Sequence, residues 1–577
     1  MRSRAGIAVA VAVAVAAALL LSWAPARDPD LWWHLATGRA IVATRSTLPA
    51  DPFSFSFAGA PWRYKDVAAD VLLWTLFARA GFAGLLVYRA VCAAILALGF
   101  RLATRRTLPA LVALAVIPLL PWADRPMMLS LALFPAVLAL CERRRFGWLV
   151  LVTWINIVLH RAALLAYAVV AARALQLALA RLCARWPRLS IVAGAPPSTR
   201  TLVAASVAAI AAPLVGLLNP QGAAAFTTGF GVAASRMMRL YIAEFVALGP
   251  AALWGWNGFV GAMAAAAIVA RLVVAVRRRE RAPVEAWHLA LVVGFAALGI
   301  RSLRFMPYLV LSAAFALALL VDELTPRLRA ARAWAALATA AVLVLALAAR
   351  RGAPFALGPD ERIVPVAAVD FAKAHRLDGP VLDSFEFGGY LIFRGVPVLV
   401  DGRLDTLYPP AFVATCIQAE RKPALLSRLP LDAVAWALGS NGDERWTHRY
   451  LYRDPAWAEI FWSEAASVYV RRDRHPELLP LAFTTIDPAA PELSAAEAVR
   501  SRDPARIAAA HAELGRMIAA SPTSVRANAA LAIYFHLLGR TAERDTVMRA
   551  LRAMAPDHPA VRALAARFTS SAPATAN

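Results

Sequence analysis

Long apolar segments fill the first 350 residues of the chain, and short polar turns separate them. Eleven are long enough, or nearly so, to cross about 30 Å of hydrocarbon as helices. The pattern therefore predicts a polytopic helical membrane domain over residues 1–351. The segments lie near residues 5–24, 83–101, 107–122, 126–142, 146–160, 162–182, 201–218, 250–276, 286–302, 304–321 and 331–349.

The loop after the first segment, residues 25–82, is unusually long and patterned. Asp30–Thr44 and Asp66–Ala80 are amphipathic and rich in aromatic residues, and proline-containing turns separate them. This predicts two short helices that lie flat at the membrane interface. For the aromatic residues, simple anchoring to that interface and a functional role are equally good explanations.

Residues 352–485 are more polar and alternate between β-rich and helix-like stretches, which predicts a small α/β domain. The expected strands are Pro380–Asp383, Val396–Asp401, Ala433–Ala437 and Ser467–Arg471, and the expected helices are Val364–His375 and Pro423–Leu429.

Residues 490–570 are rich in Ala, Leu and Arg at helical spacing. Pro522 and Pro556 each close a helix 34 residues apart, the period of a tetratricopeptide repeat. A short repeat-like segment predicts a protein partner at residues 494–568, although a plain capping hairpin explains the pattern equally well. Because about three repeats are normally needed for independent stability, we expect this short segment to pack against the α/β domain.

Composition agrees with a membrane protein. The chain has 577 residues, 60% of them hydrophobic and 17% charged, and its mean hydropathy is +0.58. The net charge of +24 lies entirely in residues 1–351, which hold 36 basic and 12 acidic residues. A soluble enzyme and a nucleic-acid partner are therefore excluded. Cys416 is the one cysteine after residue 351, so the α/β domain has no internal disulfide.

Basic residues also predict the orientation of the chain. With the N-terminus inside, and the first segment retained as an uncleaved helix, five successive inner loops are basic, as the positive-inside rule requires. The protein is then integral to the bacterial cytoplasmic (inner) membrane, with its C-terminal domain in the periplasm. The inner loops contain Arg101/Arg105/Arg106, Arg143–Arg145, Arg181/Arg185/Arg188, Arg277–Arg279/Arg281 and Arg327/Arg329/Arg332.

Asp28 and Asp30 follow the first membrane segment directly and are the leading candidates for catalysis. A carboxylate at this depth could accept a proton from an attacking hydroxyl or bind a divalent metal such as Mg²⁺ or Mn²⁺, for which Asp30 is the expected ligand. His34 is a candidate for substrate binding. The alternative is that Asp28 or Asp30 only caps the helix that starts at Leu31.

Other outer-face groups could bind the phosphate of a membrane lipid. For each arginine the competing interpretation is snorkelling to the interface. His160 could equally be a hydrogen-bonded packing residue. Glu244 lies in a loop near residues 219–249 that could cover the site. The substrate-binding candidates besides His34 are Asp124, Arg125, His160, Arg301 and Arg304, with Arg301 and Arg304 placed first.

Two motifs resemble a known family. Asp30, Trp32, Trp33 and His34 are similar to the first outer loop of oligosaccharyltransferase catalytic subunits, members of the GT-C superfamily of lipid-linked glycosyltransferases. Residues 384–390 (SFEFGGY), followed by 398–403 (VLVDGR), are similar to the start of the outer domain of these proteins. The resemblance implies a GT-C-like fold and transfer of sugar from a polyprenyl-phosphate donor outside the cytoplasm.

The departures from this family concern the acceptor. Ala36 stands where those subunits carry Arg, and Phe-Glu-Phe replaces the Trp-Trp-Asp that recognises the acceptor sequon. The acidic pair of the second outer loop is also missing, with Asp124 the one acid there. Transfer to sequon asparagines is therefore not implied, and the sugar and acceptor stay open.

Two other classes of function compete with a glycosyltransferase. A non-catalytic scaffold, anchored in the membrane, would bind proteins through its α/β and repeat-like parts. A transporter is less favoured, because the segments contain few central acids and show no internal duplication.

Overall fold

The computed structural model describes residues 4–62, 66–227, 236–247, 249–328, 331–350, 354–441 and 447–570. Arg2, Arg329 and the predicted limit between residues 351 and 352 lie outside these ranges. The chain forms two compact units. The first, the membrane unit, comprises Met1–Pro52, Gly59–Gly358 and Arg403–Ala414; the second comprises Phe53–Ala58, Pro359–Gly402 and Thr415–Asn577.

The membrane unit is helical, and each of the eleven predicted segments contains a helix. Its helices are α1 (Arg4–Ser22), α2 (Asp30–Thr44), α3 (Val67–Ala80), α4 (Phe82–Ala103), α5 (Thr107–Leu114), α6 (Pro126–Glu142), α7 (Phe146–Leu159), α8 (Ala163–Leu182), α9 (Pro187–Ala193), α10 (Thr199–Gly216), α11 (Arg236–Tyr241), α12 (Trp256–Arg278), α13 (Ala286–Arg301), α14 (Met306–Leu324) and α15 (Ala331–Ala349).

Seven helical stretches among the described residues are long and apolar enough to cross a membrane. The predicted class, a polytopic helical membrane protein, is thereby confirmed. The shorter apolar stretches at Thr107–Leu119, Pro126–Glu142, Phe146–Leu159 and Ala286–Arg301 match the other four predicted spans. Whether they also cross stays a prediction.

The interior of this unit is built around α6 and α14. Most side chains of both helices are buried, whereas α15 exposes Leu337, Val344 and Leu347. A helix that is apolar on all sides belongs inside a bundle, and one whose exposed side chains are apolar suits contact with lipid. α1 packs between α4 and α15, and α4 packs against α6.

The two helices predicted in the first outer loop form as α2 and α3, and they cross closely. A Cβ atom on Gly38 would lie 2.2 Å from the carbonyl oxygen of Asp70, so only glycine permits this approach. The crossing places His34, one turn before Gly38, against Asp70.

The same loop is held by a residue from far along the chain. Arg403 forms an ion pair with Asp51, and both side chains are fully buried. The Arg403 guanidinium also lies 4.7 Å from the centre of the Trp62 ring. Such a pair persists because each charge satisfies the other away from water.

The second unit contains a four-stranded mixed sheet of order β1-β2-β4-β3, with β1 (Val381–Asp383), β2 (Trp436–Ser440), β3 (Trp457–Trp462) and β4 (Ala466–Arg471). β1 and β2 are parallel, with Val381 opposite Trp436. β4 is antiparallel to both of its neighbours. This sheet confirms the small α/β part of the predicted fold class.

The strands differ from the sequence-based expectation in three places. Val396–Asp401 makes only isolated bridges through Val398 and does not run alongside a strand, so no ladder of hydrogen bonds forms. The strand predicted at Ala433–Ala437 lies three residues later, at Trp436–Ser440, and β3 has no counterpart among the predicted strands. β3 carries the buried Glu459 among its apolar residues, which weakens its strand pattern.

The remaining helices are short, and the last five follow one another directly. Trp462 of β3 shares a buried cluster with Leu514 and Tyr534 from this helical segment. The segment therefore shares part of its core with the sheet, and a second cluster that includes Met548 and Leu551 belongs to the segment alone. These helices are α16 (Val366–Ala374), α17 (Gly388–Phe393), α18 (Pro410–Ala419), α19 (Pro491–Arg500), α20 (Pro504–Ala520), α21 (Val525–Leu537), α22 (Thr541–Met554) and α23 (Pro559–Ser570).

Candidate functional site

The candidate site begins where the chain enters α2. Asp28 Oδ1 accepts a hydrogen bond from the backbone N–H of Asp30 at 3.0 Å. Asp28 therefore satisfies one of the free amides at the start of the helix. Asp30 makes a different contact, since its Oδ1 accepts from the Trp33 indole at 3.1 Å. This leaves the second oxygen of each carboxylate for other partners.

Arg125 binds both of these oxygens. Its Nε donates to Asp28 Oδ2 at 2.5 Å, and its Nη1 donates to Asp30 Oδ2 at 2.9 Å. Arg125 directly precedes Pro126, the first residue of α6, and has the extended backbone that a residue before proline favours. The turn before α6 thus brings a cation to the two acids that begin α2.

A third carboxylate completes the cluster. Glu244 Oε1 lies 2.8 Å from Arg125 Nη1, and Glu244 Oε2 lies 3.8 Å from Arg304 Nη1. The Ser302 hydroxyl donates to the Glu244 carbonyl oxygen at 3.0 Å, and the Arg304 guanidinium lies 4.9 Å from the centre of the Phe245 ring. Asp28, Asp30, Arg125, Glu244 and Arg304 are called the acid–arginine cluster below.

The electrostatics of the cluster depend on burial and on mutual charge. Burial raises the pKa of Asp30 above its usual value, and Arg125 opposes this rise. Burial disfavours the charged form of Arg125, but the three carboxylates outweigh it and raise its pKa. Arg125 therefore stays charged, and the Asp30 carboxylate has an increased proton affinity.

The backbone of Arg125 is fixed by the residues around it. Asp124 is buried and binds the Arg89 guanidinium at 2.7 Å and 2.5 Å. Arg89 also donates to the Ser22 carbonyl, and the Tyr88 hydroxyl donates to the Arg125 carbonyl at 2.7 Å. The Asp124 carboxylate thus holds this turn through Arg89, and its predicted role in substrate binding stays a prediction.

His34 lies one turn after Asp30 and faces α3. Its Nδ1 is 2.7 Å from Asp70 Oδ1, and its ring stacks on Trp33 with centres 3.6 Å apart. Burial lowers the pKa of His34 to about 4, so the imidazole is neutral at pH 7. The contact between Nδ1 and Asp70 joins α2 to α3. His34 therefore supports the helix that carries Asp30.

The remaining predicted residues lie apart from the cluster contacts. His160 Nδ1 accepts from the Ala162 amide at 3.1 Å and lies 3.5 Å from the Ser130 hydroxyl, which agrees with the packing interpretation. Arg301 is exposed at the end of α13. Of the two arginines placed first, only Arg304 joins the cluster.

An apolar cavity of about 460 Å³ opens beside Glu244 and Arg304. Leu119, Leu120 and Leu303 line it, with Met127, Pro121 and Pro307 among its other walls. A cavity lined by two charged groups, the Asn257 amide and otherwise apolar side chains suits an amphiphile whose anionic head is attached to a hydrocarbon chain.

The cluster does not fit a divalent metal as arranged. Arg125 already binds the Asp28 and Asp30 oxygens that a cation would need, and a guanidinium and a metal ion compete for the same lone pairs. Among the described residues, no group of three or more His, Cys, Asp or Glu side chains is placed to hold a metal.

Two of the site residues were not predicted from the sequence. The sequence indicates for Glu244 only a position in a loop that could cover the site, and it gives no functional signal for Arg89. The signal for Glu244 was present, since it is the one acid in residues 219–249. Its contacts with Arg125 and Arg304 depend on tertiary approach, which spacing along the chain does not encode.

No family model and no curated protein matches this chain. Among solved structures, the chain is similar to ArnT from Cupriavidus metallidurans bound to undecaprenyl phosphate. The identity is 15% and the TM-score is 0.44, and the match covers 80% of this chain and 97% of that one.

Proposed function

We propose that the protein is a GT-C-like glycosyltransferase that takes a sugar from a polyprenyl-phosphate donor at the outer face of the inner membrane. The observation that supports this most directly is the acid–arginine cluster at the edge of an apolar cavity. A carboxylate for proton transfer, arginines for phosphate and aliphatic walls for an isoprenoid are the groups this reaction needs.

In the proposed reaction, Asp30 accepts the proton of an acceptor hydroxyl. The hydroxyl oxygen attacks the sugar carbon that is bonded to the donor phosphate, and the bond from that carbon to the phosphate oxygen breaks. The lipid phosphate leaves with the bonding electrons, and Arg304 and Arg125 stabilise its negative charge. Asp28 acts through Arg125 and the α2 amide, and so positions Asp30.

The proposal includes an orientation. The N-terminus lies inside and the second unit lies in the periplasm, because the predicted inner loops are the basic ones. The helices of residues 490–570 form a tetratricopeptide-like segment that binds a protein partner, which could deliver the acceptor. These assignments are supported by the charge pattern and the repeat spacing of the sequence.

Lipid binding tests the proposal. The purified full-length protein in lipid nanodiscs should bind undecaprenyl phosphate more tightly than undecaprenol, as measured by native mass spectrometry. Arg304→Gln should remove most of this difference, because a neutral amide replaces a cation at the cavity edge. Equal binding of phosphate and alcohol would contradict the proposal and favour a scaffold.

Arg301→Gln is the matched control for Arg304→Gln. It removes the same charge three residues earlier, at an exposed position outside the cluster. It should leave the preference for phosphate unchanged. A loss as large as that of Arg304→Gln would show that the cluster does not set the phosphate preference by itself, and that Arg301 or general surface charge contributes as much.

A further inference from the structure

The acid–arginine cluster contains more negative charge than its arginines neutralise. Asp28, Asp30 and Glu244 contribute three carboxylates, and Arg125 and Arg304 contribute two guanidinium groups. One negative charge is therefore in excess. An anionic head group that entered this arrangement would meet net repulsion within a few ångströms, where Coulomb energies are large.

Glu244 is the acid best placed to leave. Asp28 and Asp30 have short side chains at the rigid start of α2, where their other oxygens bind the Asp30 amide and the Trp33 indole. Glu244 has one more rotatable bond, and its side chain is 33% exposed, against 13% for Asp28 and 26% for Asp30.

The backbone around Glu244 need not move for its carboxylate to leave. Ser302 binds the Glu244 carbonyl, and Arg304 packs on the neighbouring Phe245 ring. Both contacts are independent of the Glu244 carboxylate. A change of side-chain rotamer would therefore release the face of Arg125 Nη1 that Glu244 occupies, and Arg304 Nη1, while Arg125 Nη1 keeps its bond to Asp30 and the surrounding segment stays in place.

The position of the carboxylate also matches that of an incoming phosphate. Glu244 places its two oxygens between two arginines, and guanidinium groups bind carboxylate and phosphate oxygens with the same geometry. Glu244 and Arg304 both line the apolar cavity. A phosphate in place of this carboxylate would have its hydrocarbon chain directed at aliphatic walls.

We infer that the Glu244 carboxylate occupies the donor phosphate position in the empty site and that a polyprenyl phosphate displaces it on binding. This inference rests on the proposed function. It makes Glu244 an internal competitor that sets the affinity for the lipid. If the carboxylate occupies the arginines nine-tenths of the time, its removal tightens lipid binding about tenfold.

Three substitutions test the inference. Glu244→Gln removes the competing charge and should bind undecaprenyl phosphate about tenfold more tightly than the wild type in nanodiscs. Glu244→Asp keeps the charge but shortens the reach to both arginines, so its affinity should be intermediate. Glu280→Gln, the same change at an acid that pairs with Arg271 elsewhere in the unit, should bind like the wild type.

The outcomes separate this inference from the proposed function. If no variant and no wild-type protein prefers undecaprenyl phosphate to undecaprenol, the proposed function fails. If the wild type shows that preference but Glu244→Gln binds equally well or more weakly, the displacement model is overturned, and weaker binding would make Glu244 a direct ligand contact. If Glu244→Gln does not fold, the affinities of Glu244→Asp and the wild type decide. Tighter binding by Glu244→Asp supports displacement, and equal or weaker binding contradicts it.

Discussion

Arg125 Nη1 lies 2.9 Å from Asp30 Oδ2, although 95 residues separate the two in the chain. The contact joins the start of α2 to the start of α6, and the same nitrogen also binds Glu244. Arg125 thus links three segments of the membrane unit. The charge environment of Asp30 therefore depends on this guanidinium.

Asp30→Asn should fold but lose activity. The amide oxygen can still accept from the Trp33 indole, whereas the charge needed for proton transfer is gone. A positioned base commonly contributes 10²–10⁴-fold, so complementation of a deletion strain's glycan or lipid phenotype should fail. Asp28→Asn is the control and should lose less. Full complementation by Asp30→Asn would remove Asp30 from the chemistry.

Arg125→Gln should destabilise the protein more at pH 7 than at pH 5. Without the guanidinium, Asp28, Asp30 and Glu244 repel one another, and protonation relieves that repulsion. The pKa of Asp30 is already raised by burial and would rise further. Thermal unfolding in detergent should show the variant gaining stability on acidification relative to wild type. A pH-independent difference would contradict this account.

His34 should make the wild-type protein less stable in acid. Its pKa is about 4 in the folded state and near 6.5 when unfolded, so the unfolded chain binds the proton first. Stability should therefore fall as pH drops from about 6.5 towards 4, by at most about 3 kcal/mol. His34→Gln, which can still donate to Asp70, should flatten this dependence. If the wild type and His34→Gln show parallel pH profiles of the unfolding temperature, His34 is not the group that causes the loss of stability in acid.

Glu513 should hold the helical segment of the second unit. Its carboxylate accepts from the backbone amides of Thr484, Thr485 and Ile486, at distances between 2.7 Å and 3.3 Å. Glu513→Ala leaves these amides without acceptors and should destabilise the unit by about 1–3 kcal/mol. The measurement is limited proteolysis of the full chain, in which Glu513→Ala should be cleaved near residue 485 faster than the wild type. Glu513→Gln keeps one oxygen and should be cleaved at an intermediate rate.

The orientation can be tested with fused reporters. An enzyme that is active only outside the cytoplasm should be active when fused after Pro359 and inactive when fused after Arg281. The physical reason is the excess of arginine in the loops predicted to lie inside. The opposite pattern would place the acid–arginine cluster on the cytoplasmic side and contradict the proposed donor geometry.

The helices were more predictable than the site. Apolar runs and a Pro29-Asp30 start are signals that neighbouring residues carry, and α2 accordingly has the predicted bounds, Asp30–Thr44. Asp28 and Asp30 were found because they adjoin a membrane segment. The sequence does not point to the contacts of Glu244, because its partners Arg125 and Arg304 come from the turns before α6 and α14 and no local pattern records that approach. The strand predicted at residues 396–401 failed for a related reason, since strand propensity does not supply a pairing partner.

The buried ion pair of Asp51 with Arg403 imposes an order on biogenesis. Its two residues are 352 positions apart, so the ribosome needs roughly 20–70 s after making Asp51 to supply its partner. During that interval Asp51 lacks the ion-pair partner that it has in the folded protein. The contact between the first outer loop and Arg403 therefore forms only after residue 403 has been made, and a chain that ends before residue 403 would lack it.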